Sequence, residues 1–267
     1  RSSDPNIKRV QQAIVEGETY QVNYTARLTD NIYYPISTLY ERLTQFSNGN
    51  YTALLQTDEI QVASISPELF FQKGQFNNVD NVIISKPMKG TMPRGKTEAE
   101  DQQYYKTLQT SSKDRAENVM IVDLLRNDIG RISQSGSIKV YKLFFIEAYK
   151  TVFQMTSMVS GTLKNNTDLT QILTSLFPCG SITGAPKLNT MKYIKQLESS
   201  PRGIYCGAIG LLLPTEDDKM IFNIPIRTIE YKYGQAIYGV GAGITIDSKP
   251  KDEVNEFYAK TKILEML

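Results

Sequence analysis

The stretch Pro87-Met88-Lys89-Gly90-Thr91-Met92-Pro93-Arg94-Gly95-Lys96 follows Val82-Ile83-Ile84, a β-branched run that reads as a short strand. This order predicts a lysine, Lys89, at or just past a strand end. Pro87 restricts the backbone on one side, and Gly90 permits close approach or positive φ on the other. With Lys86, Arg94 and Lys96 nearby in sequence, Lys89 is a candidate for a depressed pKa. The same residues also read as an ordinary basic turn.

The 267 residues include no histidine. That removes imidazole acid–base catalysis, Ser-His and Cys-His nucleophile pairs and His-rich zinc sites. Chemistry here must run on lysine, carboxylate, tyrosine or a hard metal ion. A formal net charge of +2 gives no reason to expect nucleic acid or a membrane as partner. The longest apolar runs, such as Ala208 to Leu213, are too short to span a bilayer. Cys179 and Cys206 do not make a disulfide framework, so a reducing cytoplasm is the simpler expectation. No signal peptide is visible, and a start at Arg1 suggests that native N-terminal sequence is missing. No linker, repeat or low-complexity tract divides the chain, so one domain over 1–267 is expected.

Upstream of the lysine, Asp4-Pro5 reads as a helix start, Ile7, Val10 and Ile14 share a face, and Gly17 stops the helix. Tyr20 to Thr29 alternates, leaving Gln21, Asn23, Thr25 and Arg27 on one face of a strand: a solvated face, or the wall of a site. A second helix carries Ile36, Leu39, Tyr40, Leu43 and Phe46 and ends at Asn48-Gly49. Strands follow at 51–56, 60–65 and 68–72, with Glu68 expected at an exposed strand end.

Downstream, a helical region places Asp114 and Glu117, three residues apart, on one face. Strands are expected over 137–146 and 149–160, then a helix opened by Asp168. Gly180-Ser181-Ile182-Thr183-Gly184-Ala185-Pro186-Lys187 leads into another helix. It lacks the Gly-Lys-Ser/Thr order of a Walker loop, yet brings backbone N–H groups and a lysine to a helix start, which suits an anion; a plain turn is the alternative. Three strands are expected over 204–213, 220–231 and 235–246. Arg227 is the one cation between Met220 and Glu230, and Gly239, Gly241 and Gly243 thin the last strand where a ligand or backbone could approach. The final helix carries Glu253, Glu256 and Lys260 along one stripe beside Val254, Phe257, Thr261 and Leu264. A charged stripe is usually solvated, but two helices with carboxylates at i and i+3 also suit an oxygen-only Mg²⁺ site. The pattern is mixed α and β with antiparallel hairpins.

Taken in order, these segments resemble the chorismate-utilising enzymes over nearly the whole chain. The resemblance rests on Tyr20-Gln21-Val22-Asn23, Ser66-Pro67-Glu68, Pro87–Thr91, Lys113–Asn118, Arg126-Asn127-Asp128, Gly180–Lys187, Ile226-Arg227-Thr228, Gly241-Ala242-Gly243 and Glu253 with Glu256. It implies an α+β fold, a four-layer α/β/β/α sandwich of two large antiparallel sheets with outer helices. Water-using members resemble one another in carrying lysine where this chain has Gln21, and anthranilate synthases typically carry alanine where it has Lys89. The Gln21 and Lys89 combination is similar to the aminodeoxychorismate synthases.

The resemblance implies a role for each matching residue. Lys89 is the nucleophile toward chorismate, Glu68 the general acid, and Gln21 stands where water-using relatives place a base. Arg227, Tyr205, Gly241 and Gly243 receive the enolpyruvyl carboxylate. Thr183 and Lys260 orient the substrate, and Lys187 is either a ligand or structural. Glu117 and Glu256 hold Mg²⁺ with Asp114 and Glu253 in support. Gln154 stands where several relatives carry a histidine linked to pyruvate elimination. Ammonia is expected from a separate glutamine amidotransferase subunit or from solution. Anthranilate or isochorismate synthase activity, and a chorismate-binding regulatory subunit without turnover, are the alternatives.

Overall fold

The computed structural model describes residues 5–31, 34–46, 49–232, 234–261 and 264. The chain begins with α1 (Pro5–Val15), β1 (Gln21–Asp30), α2 (Ile36–Phe46), β2 (Tyr51–Gln56), β3 (Gln61–Ser66), β4 (Leu69–Phe76), β5 (Val79–Lys86) and β6 (Met88–Pro93). It continues through α3 (Glu98–Thr110), α4 (Ser112–Ile132), β7 (Lys139–Ala148), β8 (Val152–Thr162) and α5 (Leu169–Leu176). Then come β9 (Gly184–Ala185), α6 (Lys187–Leu197), β10 (Ile209–Leu212), β11 (Met220–Asn223), β12 (Thr228–Lys232), β13 (Gln235–Ile244) and α7 (Pro250–Thr261). No helix among the described residues is long and apolar enough to cross a membrane. The contacts divide into two compact units, each assembled from separated stretches of chain.

The first unit comprises Arg1–Pro67, Pro178–Ala208 and Ile224–Leu267. Its antiparallel sheet has the order β2-β3-β12-β13-β1-β9. Alternation along β13 sends Ala236, Tyr238 and Val240 into a core with Ile36, Leu39 and Leu43 of α2 and with Ala63 and Ile65 of β3. Ala242 and Ile244 join Val22 and Tyr24 of β1 against Ile7 and Val10 of α1. Each large apolar side chain buried this way contributes roughly 1.5–3 kcal/mol. Gly17 ends α1 at φ 77°, its N–H bonding Ile14 O at 3.0 Å while Glu18 N–H reaches Ala13 O at 3.0 Å.

The second unit comprises Glu68–Phe177 and Ile209–Asn223. Its antiparallel sheet has seven strands, in the order β10-β11-β4-β5-β8-β6 with β7 paired to β8. Strand β8 carries β7 on one edge and, on the other, β5 followed by β6. Phe153 and Met155 of β8 point to a core with Leu108 of α3 and Ile146 of β7. Asp168 caps α5 in a reciprocal pair with Gln171.

Several sequence expectations shift. The strand expected over 220–231 is two strands, β11 and β12, in different sheets, separated at Ile224-Pro225-Ile226-Arg227. Arg227 therefore lies off the strand, at φ 50°. The strand expected over 204–213 shortens to β10, because turns occupy the residues before it. Lys89 lies within a strand, β6, rather than in a loop after one. Asp4 and Asn48, read as a helix start and a helix stop, lie outside the described residues.

Candidate functional site

In the second unit, the β6–β8 register slips between Met88, opposite Thr156, and Thr91, opposite Gln154. Lys89 and Gly90 occupy this bulge, and bulges re-aim side chains. Gly90 has φ 94°, and a Cβ there would stand 3.0 Å from Asp114 Cβ and from Leu108 Cδ1. Glycine thus lets the strand lie against the start of α4. Gly90 and Met92 face the helices, and Thr91 lies opposite Gln154 of β8 on the other face. Gln154 is fully buried, and among the described residues neither amide atom has a hydrogen-bond partner.

The cations near Lys89 in sequence are engaged elsewhere. Lys86 pairs with Glu147 at 2.5 Å, and Tyr149 donates to the other Glu147 oxygen at 2.7 Å. Arg94 forks onto Asp101 at 2.8 and 2.6 Å, and its hydrogen bond holds Asp101 below the usual carboxylate range. Lys96 is exposed. Glu68 is not at an exposed strand end as expected: it is 3% exposed, because the chain enters β4 through the interior. Asp114 and Glu117 are both half-buried on α4, and their neighbour Asn118 accepts from Ser157 Oγ at 2.5 Å.

In the first unit, the polar face of β1 is buried rather than solvated: Gln21 is 1%, Asn23 8% and Thr25 3% exposed. The Thr183 loop packs along it. Asn23 N–H donates to Thr183 O at 2.7 Å, and Asn23 Nδ2 donates to Ile182 O at 3.1 Å. Gly184, at φ 135°, passes so near the Gln21 carbonyl that any Cβ would collide with it. The Thr183 hydroxyl donates to Cys179 O at 2.9 Å, leaving its lone pairs as acceptors. Lys187 opens α6 half-buried, and no side chain caps that helix start.

Close approach at Gly239 and Gly241 is real, and the group that approaches is Tyr205. A Cβ on Gly239 would fall inside its ring, and one on Gly241 would stand 3.2 Å from its hydroxyl. The Arg27 guanidinium lies 5.3 Å from the same ring centre. Burial pushes the Tyr205 hydroxyl pKa well up, pushes the Cys206 thiol to about 11 and pushes Tyr238 to about 12. All three are neutral donors at pH 7. Gly243 lies opposite Asn23 in the β1–β13 register.

On α7 the charged stripe splits. Glu253 is 3% exposed, whereas Glu256 and Lys260 are exposed and paired at 2.6 Å. Phe257 draws that face of the helix inward by packing against Tyr24. Lys260 Nζ also donates to Gly241 O at 2.5 Å, tying α7 to β13. Among the described residues no three carboxylates or thiolates form one cluster. The i, i+3 carboxylate pair Asp114 with Glu117 lies in the second unit, and Glu253 with Glu256 lies in the first. These are oxygen donors without soft ligands, which fits a hard divalent cation.

The sequence reading passed over Glu198 and Arg202. Glu198 gathers Thr25 N–H at 3.0 Å, Thr25 Oγ1 at 2.7 Å, Arg27 at 3.4 Å and Arg202 at 2.7 Å. Burial, the largest influence on Arg202, works to lower its pKa, but the Glu198 bond and charge leave it raised. An acid–base pair four residues apart, just before Tyr205, was the available signal.

A family model described as chorismate binding enzyme matches residues 4–266. The chain is 39% identical to an aminodeoxychorismate synthase component 1 of Bacillus subtilis (strain 168), covering 95% of this chain and 53% of that protein. It is 40% identical to an aminodeoxychorismate synthase of Streptomyces pristinaespiralis, covering 96% and 35%. Among solved structures, anthranilate synthase component I from Streptococcus pneumoniae TIGR4 superposes with a TM-score of 0.84 at 30% identity, covering 96% and 56%. The chain therefore spans about half or less of the length of these relatives.

Proposed function

This chain belongs to the chorismate binding enzyme family, and from that membership we propose that it aminates chorismate to 4-amino-4-deoxychorismate, as an aminodeoxychorismate synthase component I in para-aminobenzoate and folate biosynthesis. Lys89 carries this reading: it is a half-buried lysine in a strand bulge, two residues before Thr91, which lies opposite a buried amide that has no partner among the described residues. The Bacillus subtilis relative, named as an aminodeoxychorismate synthase component 1, supports it.

Lys89 Nζ attacks C2 of chorismate, the ring double bonds shift, and the C4 hydroxyl leaves as water with a proton from Glu68. Ammonia then adds at C4, the C2–N bond breaks to return the lysine, and the new C4 ammonium gives its extra proton back to Glu68. Chorismate and ammonia become aminodeoxychorismate and water. Gln21 in place of a lysine offers no base for water. Gln154 has no titratable proton to shuttle, which disfavours pyruvate elimination. Tyr205, Arg227 and the backbone at Gly241 and Gly243 receive the enolpyruvyl carboxylate, while Thr183, Lys187 and Lys260 orient the substrate. Asp114, Glu117, Glu253 and Glu256 are the residues that would hold Mg²⁺, which would supply positive charge for the substrate carboxylate. Ammonia comes from a separate glutamine amidotransferase subunit or from solution, and the setting is the cytoplasm.

Incubation with chorismate, ammonium and Mg²⁺, followed by product mass analysis, tests this. Aminodeoxychorismate without pyruvate is expected. Anthranilate with pyruvate, or an isomer of chorismate carrying solvent oxygen, overturns it; so does chorismate binding without turnover when ammonium and the amidotransferase are present.

A further inference from the structure

Strand β1 has β13 along one edge, from Val22 opposite Ile244 to Asp30 opposite Ala236. Its other edge meets β9 only at Gln21 and Val22. Beyond that point its backbone finds partners from the Thr183 loop and from one ion pair. Asn23 N–H bonds Thr183 O at 2.7 Å, Asn23 O accepts from Arg202 Nη2 at 2.7 Å, and Thr25 N–H donates to Glu198 Oε1 at 3.0 Å. Arg202 and Glu198 thus stand where the next strand would, one supplying the donor and the other the acceptor of a missing ladder.

The same guanidinium reaches Ile182 O through Nη1 at 2.5 Å and both Glu198 oxygens, at 3.0 and 2.7 Å. Its planar fork therefore joins two separate stretches of backbone and the Glu198 carboxylate, a task an ammonium point charge cannot match. The two side chains are 14% and 5% exposed, so water does not substitute readily for either. Tyr205 follows Arg202 by three residues and covers Gly239 and Gly241. One ion pair consequently fixes the Thr183 loop, the polar face of β1 and the approach to Tyr205.

We propose that Glu198 and Arg202 are positioning residues that lock the Thr183 loop to the polar face of β1, through the backbone of Ile182, Asn23 and Thr25. Their effect on turnover rests on the proposed activity; the coupling of loop to strand does not. The test compares the wild-type chain with Arg202→Lys and Glu198→Gln, both conservative enough to fold. Amide hydrogen exchange is followed in peptides spanning 20–27 and 179–186, alongside kcat and KM for chorismate. Exchange should accelerate about tenfold in both segments together while distant segments keep their rates. KM should rise about tenfold, with a smaller change in kcat. Unchanged exchange in either segment, or acceleration throughout the chain, overturns the lock. Faster exchange in both segments with a wild-type KM overturns the positioning role. A wild-type chain that does not consume chorismate overturns the proposed activity, and the exchange result then decides the lock alone.

Discussion

In the six-stranded unit the polar face of β1 is buried and already bonded: Asn23, Thr25 and Arg27 each engage Glu198, Arg202 or the Thr183 loop. In the seven-stranded unit Gln154 is buried as deeply, yet its amide has no partner among the described residues. Lys89, on the neighbouring strand, sits in a register slip. A bonded polar wall keeps its shape when empty. An unsatisfied amide costs about 1–3 kcal/mol until something polar arrives. The contrast separates a polar wall that is bonded from a buried amide that is not.

The sharpest way to break this comparison is at Lys89. Lys89→Ala should slow aminodeoxychorismate formation by roughly 10³-fold or more, on the scale of losing a positioned reactive group. Lys86→Ala, which removes only the partner of Glu147, should cost at most about tenfold in the same product assay. Near-equal losses would remove the special standing of the bulge.

On the framework side, Glu198→Ala strands two buried arginines and the Thr25 N–H. It should lower the unfolding free energy by about 3–5 kcal/mol in urea titrations. Gln154→Met should do the opposite, raising stability by about 1 kcal/mol while lowering turnover, since it deletes an unsatisfied amide at similar volume. A destabilised Gln154→Met would mean that the amide is satisfied after all.

The smallest effects concern pH. Cys206 and Tyr238, both in the first unit, have folded pKa values raised from 9.0 to about 11 and from 10.0 to about 12. Raised values add stability that is complete below the unfolded pKa and lost as pH rises through the folded one. Urea midpoints should therefore hold to about pH 9 and decline from there to pH 12. In the second unit, Asp101 and Asp217 are lowered, so their contribution is present above 3.8 and fades as pH falls through their depressed values. Both shifts at the acid end are small surface effects.

Much of the fold is legible in local pattern. Residues 51–56 emerge as β2 with the bounds expected, Asp168 caps its helix, and Gly17 stops α1. What misleads is tertiary. Met220 to Tyr231 is rich in strand formers, yet Pro225 interrupts it, and there the chain passes from one sheet to the other. Glu68 and Glu253 carry charge at positions that local reasoning leaves in water, yet both are buried. The motif residues are all present in the sequence, but the bulge that aims Lys89 depends on register against β8, which lies some sixty residues away. Glu198 and Arg202 were hidden because their value lies in backbone groups far along the chain, which composition does not display.

The pairing of β1 with β13 has a consequence for how the chain matures. Val22 lies opposite Ile244, 222 positions later. During synthesis, the seven-stranded unit has all its strands once Asn223 has emerged. The six-stranded sheet must wait with its first long strand unpaired along both edges until the last third is made. Closing so large a loop is entropically slow, and unpaired strands of this kind invite association with other chains. Late in its biosynthesis the nascent polypeptide is therefore half finished and half vulnerable, and the vulnerable half is the one that carries the polar wall.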